Sequence, residues 1–144
     1  MKIRNGTEKD LDRILLIENC VFRENAWTRE LIRSELNGSL DRQTWVIDKD
    51  DVVVGYCMIR FSSGEFHLLN MAVDTSYQMK GLGTKLINHC LNNIPLDSSV
   101  FLEVKRGNFP AINLYLGAGF EDVAIHEAYY RDGSDAIVMY LIKE

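Results

Sequence analysis

Glu103 stands alone as a carboxylate in the apolar segment Val100-Phe101-Leu102-Glu103-Val104. Strand alternation puts it on the face opposite Leu102 and Val104. Turned to solvent it is an ordinary surface charge. Turned to a cleft it is a partly desolvated proton acceptor. Twelve residues on, Tyr115 lies among Ile112, Leu114 and Phe120. It is either a core aromatic or a phenol placed to protonate a leaving group. Asn108, between them, offers a side-chain amide that can bind a ligand or cap a helix. Upstream, Gly81-Leu82-Gly83 ends a polar turn and opens an amphipathic segment. Glycines leave backbone N–H groups unobstructed, and the first-turn N–H groups of a helix lack internal partners. The helix dipole adds partial positive charge, which makes the loop a candidate phosphate cradle. A lone G-x-G serves equally as a plain helix entry.

The elements that must position these groups are legible in the pattern. Lys2 to Asn5 reads as a short strand. Thr7-Glu8-Lys9-Asp10 is a capping-box-like helix start, followed by Leu11, Ile14, Leu15 and Glu18 at helical spacing. A loop from Arg23 to Trp27 leads to Thr28, which caps a second helix ending at Gly38. Thr44 to Lys49 and Val52 to Phe61 form a hairpin about Asp48 to Asp51. Ser62-Ser63-Gly64 turns the chain into the apolar strand containing Leu68 to Val73. After the glycine loop, Leu82, Leu86, Ile87, Cys90 and Leu91 share one helix face. Ser99 to Val104 is a strand. Asn108 caps a helix with Pro110 in its first turn, where a missing N–H matters little. Val123 to Tyr130 and Ala136 to Ile142 are the last two strands. This order predicts one α/β domain over residues 1–144, a mixed sheet flanked by helices.

Composition bounds the function. The chain has 144 residues and 47% hydrophobic content, enough for a real core. Its net charge of −5 disfavours a nucleic-acid partner and suits a cationic one such as an amine. No segment reads as a membrane span or signal peptide, so the expected compartment is the cytoplasm. Cys20, Cys57 and Cys90 are widely spaced in apolar segments and are expected to be free, buried thiols. No Cys/His cluster has metal-ligand spacing.

The segment Gln78-Met79-Lys80-Gly81-Leu82-Gly83 resembles the R/Q-x-x-G-x-G/A signature of the GNAT superfamily of acetyl-coenzyme A-dependent N-acetyltransferases. Leu69 to Asp74, Leu102 to Lys105, Asn108, Ala111 to Tyr115, Gly119-Phe120, Tyr129-Tyr130 and Asp135 to Met139 follow in order. Together they are similar to the bacterial ribosomal-protein-alanine N-acetyltransferases. The resemblance covers nearly the whole chain.

That resemblance implies a mostly antiparallel sheet of about seven strands with four helices. It implies acetyl-CoA as cosubstrate and no metal. Met71, Ala72 and Val73 are expected to present strand backbone to the acetyl and pantetheine arm. Met79, Lys80, Gly81, Leu82, Gly83 and Thr84 are expected to cradle the pyrophosphate, and Asn108 to contact the arm. Glu103 is implied as general base and Tyr115 as general acid. Trp27 and Tyr130 are implied at the acceptor groove. The partner so implied is a protein N-terminus, such as that of a small-subunit ribosomal protein, met by a monomer or weak dimer. Three departures stand out: Gly107 where the family usually has Ser, Leu116-Gly117-Ala118 after Tyr115, and Met79 beside Lys80 at usually more basic positions. They bear on the acceptor more than on acetyl transfer.

Only a neutral amine attacks a thioester. At neutral pH, deprotonating an α-amino group of pKa ~8 costs roughly 1 to 1.5 kcal/mol, against about 4 to 5 kcal/mol for a lysine near ~10.4. One carboxylate suits the first task, which favours an N-terminal acceptor. A small amine or a lysine side chain is the alternative with the same chemistry. A non-catalytic acyl-CoA-binding module is the alternative without it, and the presence of both Glu103 and Tyr115 weighs against that one.

Overall fold

The computed structural model describes residues 1–144. In chain order the elements are β1 (Lys2–Asn5), α1 (Leu11–Phe22), α2 (Arg29–Glu35), β2 (Arg42–Lys49), β3 (Val52–Ser62), β4 (Glu65–Val73), α3 (Leu82–Asn92), β5 (Ser99–Lys105), α4 (Phe109–Gly117), β6 (Glu121–His126) and β7 (Ala136–Ile142). The strands form one sheet in the order β1-β2-β3-β4-β5-β7-β6. Every neighbouring pair is antiparallel except β4–β5. This is the mixed seven-stranded architecture expected.

Local chemistry sets the helix starts. The Thr7 N–H donates to Asp10 Oδ2 at 2.9 Å, and the Asp10 N–H to the Thr7 carbonyl at 2.9 Å, so the reciprocal cap forms ahead of α1. Thr28 accepts from the Leu31 N–H, and Asn108 from the Ala111 N–H, each at 3.3 Å. Burial then sorts the helices onto two faces. Leu11, Ile14 and Ile17 of α1 and Ile32 of α2 pack with Val46, Tyr56, Met58 and Ala72. Leu82, Leu86, Ile87, Cys90 and Leu91 of α3 and Tyr115 of α4 pack on the other face with Cys57, Leu68, Leu102, Val104 and Met139.

The feature that makes room for a ligand is a parting of strands. β4 and β5 pair from Glu65↔Ser99 to Leu68↔Leu102 and no further. At that point the β3–β4 register slips: Ile59 pairs with Leu68 and Met58 with Asn70, which leaves Leu69 as the extra residue of a bulge. Beyond the bulge β4 stays with β3 as far as Val73, while β5 stays with β7 as far as Lys105. The sheet therefore opens between the C-terminal ends of β4 and β5.

Two expectations need correction. The strand expected over Val123 to Tyr130 is β6, Glu121–His126, and the chain then turns with Ala128 at φ +49°. Cys20 is exposed, whereas Cys57 and Cys90 are buried as expected. On α1 the buried residues are Leu11, Ile14, Ile17 and Glu18, and Cys20 falls off that stripe.

Candidate active site

The parting of the strands leaves Met71, Ala72 and Val73 bonded to β3 on one edge and without a strand partner on the other. Unpaired strand backbone offers N–H and C=O groups to an extended ligand. The connection to α3 is tied back to β4. Gln78 Nε2 donates to the Val73 carbonyl at 3.0 Å. Asp74 accepts from the Ser76 N–H at 2.9 Å and from Arg13, whose Nε also donates to the Val53 carbonyl at 2.8 Å.

The two motif glycines have different duties. Gly81 has φ +79° with open space where a Cβ would lie, so its conformation is what requires glycine. A Cβ on Gly83 would meet Leu114 Cδ2 at 3.2 Å, so Gly83 is set by the close approach of α3 to α4. Met79 and Lys80 are exposed at the turn, with Met79 at φ +63°. The first backbone bond of α3 runs from the Lys85 N–H to the Gly81 carbonyl. The Leu82, Gly83 and Thr84 N–H groups are thus the free donors of the first turn. An open glycine turn, free donors and an unpaired strand edge fit a phosphate-terminated thioester cosubstrate.

Across the opening, β5 alternates as expected: Val100, Leu102 and Val104 are buried, and Phe101, Glu103 and Lys105 face the other way. Glu103 is half-buried. Burial and the Glu103 carboxylate both raise the Tyr129 phenol. Tyr130 is pushed up to about 12 by burial, then by Glu103 and Asp132. Tyr115 is buried beneath β5, and burial pushes its phenol up, aided by Cys57, Tyr130 and Cys90. All three tyrosines are therefore neutral donors at neutral pH. Asn108 caps α4 just past the end of β5.

The expected acceptor residues lie on two loops that meet. Trp27 is half-buried in the α1–α2 loop, where its backbone N–H donates to Glu18 Oε2 at 2.9 Å. Tyr130 lies in the β6–β7 connection. Asn25 and Asp132 join the loops, and Lys105 Nζ donates to the same Asp132 carboxylate at 2.7 Å. Lys105, Ser134 and Asn25 hold the Asp132 carboxyl well below the usual range. A Cβ on Gly107 or Gly117 meets no atom within 4 Å, so neither departure reflects crowding.

Residues 11–120 match the acetyltransferase (GNAT) family. The chain belongs to that family. It is an N-acetyltransferase that uses acetyl-CoA. It is 31% identical to the N-alpha-acetyltransferase of Sulfurisphaera tokodaii, over 96% of this chain and 90% of that one. It is 30% identical to a putative [ribosomal protein bS18]-alanine N-acetyltransferase of Bacillus subtilis, over 96% and 93% of the two chains. Among solved structures, the ribosomal-protein-S18-alanine N-acetyltransferase from Escherichia coli superposes with a TM-score of 0.86, at 26% identity over 99% of this chain and 94% of that one.

Some contacts in this GNAT site escaped the sequence reading. Tyr129 is named with Tyr130 there, but its approach to Glu103 and the Asn25–Asp132 link have no local signal, because each depends on chain segments brought together by the fold. Glu18 did leave a signal: a carboxylate inside an apolar helical stripe. No helix is long and apolar enough to cross a membrane.

Proposed function

We propose that this GNAT enzyme acetylates the N-terminal α-amino group of a protein, with a ribosomal protein bearing N-terminal alanine as the model acceptor. The observation that supports it best is the half-buried carboxylate of Glu103, which acts on the neutral phenols of Tyr129 and Tyr130 in the connection that Asp132 links to Asn25. One carboxylate matches the small cost of deprotonating an α-amino group. The named activities of relatives spanning nearly the whole chain agree with it.

In this reading the amine and acetyl-CoA are bound together, and the amine attacks the thioester directly. Met71, Ala72 and Val73 align the acyl arm by backbone hydrogen bonds. Met79 to Thr84 hold the pyrophosphate, and Asn108 steadies the arm. Glu103 takes the ammonium proton, through a water where direct reach fails. Tyr115 gives its proton to the departing thiolate. Trp27 and Tyr130 border the acceptor groove. The chain acts as one catalytic unit in the cytoplasm.

The test is thiol release from acetyl-CoA with a panel of alanine-started peptides, N-terminally blocked lysine peptides and small amines. Best turnover on the alanine-started peptides supports the reading. Best turnover on lysine or a small amine refutes it, and intact-mass analysis of the product places the acetyl group.

A further inference from the structure

Glu18 is 1% exposed, yet it has no cationic partner. A buried carboxylate without a counter-ion persists only if donors replace its water. Three do so. Tyr56 Oη donates to Oε1 at 2.5 Å, and Asn70 Nδ2 to the same oxygen at 2.7 Å. The Trp27 backbone N–H donates to Oε2 at 2.9 Å. Burial, and then Glu18, hold the Tyr56 phenol well above its ordinary value, so it remains a donor.

The division between the two oxygens is what matters. Oε1 holds the core of the sheet. Asn70 is the first residue of β4 to pair with β3 after the Leu69 bulge, and it directly precedes Met71. Oε2 holds the loop that bears Trp27 and, two residues earlier, Asn25. One rigid carboxylate thus spans from the strand edge at the opening of the sheet to the loop at its mouth. Packing alone does not call for it, since the rest of the α1 stripe is Leu11, Ile14 and Ile17.

We propose that Glu18 is a positioning residue that fixes the acceptor loop against β4, and so sets the approach of the amine to the thioester. This rests on the reading that β4 holds the acyl arm and the Trp27 loop borders the acceptor.

The test compares Glu18→Gln, Asn70→Ala and Asp10→Asn. An amide keeps the size of Glu18 but has one acceptor oxygen and one donor NH2, so it cannot accept hydrogen bonds on both sides. Asn70→Ala cuts the strand link and leaves the loop link. Asp10→Asn weakens the fold at the start of the same helix without touching the Glu18 bonds. Wild-type turnover on the acceptor panel is measured first; it decides the acceptor reading by itself, and the best acceptor is then used for every variant. Glu18→Gln is expected to raise the acceptor KM about 10-fold or more, and Asn70→Ala to lower kcat about 10-fold, both order-of-magnitude effects of misplacement. The coenzyme Kd is expected to stay within about 2-fold for both. Asp10→Asn is expected to lower Tm with KM and kcat unchanged. If Glu18→Gln and Asn70→Ala move only Tm, as Asp10→Asn does, the proposal is overturned. If Glu18→Gln does not fold, Asn70→Ala against Asp10→Asn decides it alone.

Discussion

Asn25 and Asp132, 107 residues apart in the chain, exchange two hydrogen bonds: Asn25 Nδ2 to Asp132 Oδ2 at 3.1 Å, and the Asp132 N–H to Asn25 Oδ1 at 3.3 Å. They tie the α1–α2 loop to the β6–β7 connection beside Tyr129 and Tyr130. Both hydrogen bonds are exposed, so the pair adds little to stability. Its effect belongs to the mouth of the site. Asn25→Ala is expected to leave Tm nearly unchanged and to raise the acceptor KM several-fold, with the coenzyme Kd unaltered. Steady-state kinetics beside a thermal melt checks it; an unchanged KM removes the link from the acceptor site.

The proposed acid and base lie on opposite sides of β5. Glu103 faces the open side, and Tyr115 packs with Leu102 and Val104 on the helix side. Beyond Leu102 the parting from β4 leaves a gap that both sides border. Glu103→Gln and Tyr115→Phe are each expected to lower kcat roughly 100- to 10,000-fold, the span of general acid–base contributions. Coenzyme affinity by calorimetry is expected to hold in both. Wild-type turnover in either variant removes that residue from its role.

How much of this was legible follows from the range of each interaction. The glycine loop, the Asn108 cap and the alternation about Glu103 are local patterns, and each appears in the structure at the residues where it was read. The end of β6 was not legible. Apolar and aromatic residues continue through Tyr129 and Tyr130, while the turn is made by Ala128 at positive φ with neither Gly nor Pro to mark it. Cys20 is exposed although Val21 and Phe22 follow it, because burial on a helix follows phase and not chain neighbours. Glu18 showed its position in the stripe but not its partners, which come from β3, β4 and a loop.

Alanine at the two motif glycines separates conformation from packing. Gly81→Ala forces a side chain into the left-handed region and is expected to cost about 1 to 2 kcal/mol, with weaker coenzyme binding as the turn shifts. Gly83→Ala gains up to about 1 kcal/mol of helix propensity, offset by the displacement of Leu114 Cδ2 from 3.2 Å. Its net effect on stability is expected to be the smaller of the two. Denaturant titration of both variants tests the order; a larger loss at Gly83 shows that α4 does not yield.

Asp10 is expected to make stability sensitive to acid. Burial opposes its charge, but two hydrogen bonds from Arg4, both 2.9 Å, and one from the Thr7 N–H outweigh that and lower its pKa. A carboxyl held lower in the native state stabilises fully above the unfolded value of about 4 and loses that contribution as pH falls through the native one. Arg4→Gln removes the cause. Its stability deficit, measured by denaturant at a series of pH values, is expected to be largest near neutrality and to shrink in acid. A deficit independent of pH places the effect in packing instead.

Alkali is expected to act through the tyrosines. Tyr56, Tyr115, Tyr129 and Tyr130 all ionise less readily than a free phenol, in each case chiefly through burial. A raised native value means that this stabilisation is whole below the unfolded pKa of about 10 and drains away as pH climbs through the native values. Of the six tyrosines, the buried Tyr56 and Tyr115 should therefore yield tyrosinate absorbance last, and together with unfolding rather than before it. The consequence for turnover is specific. Between neutrality and about pH 9, kcat/KM is expected to rise as the acceptor α-amino group, near ~8, loses its proton while Tyr115 keeps its own. Tyr115→Phe is expected to lower that profile without moving its midpoint, because the midpoint belongs to the amine. A midpoint that moves with Tyr115→Phe assigns the titration to the phenol and overturns its role as the proton donor.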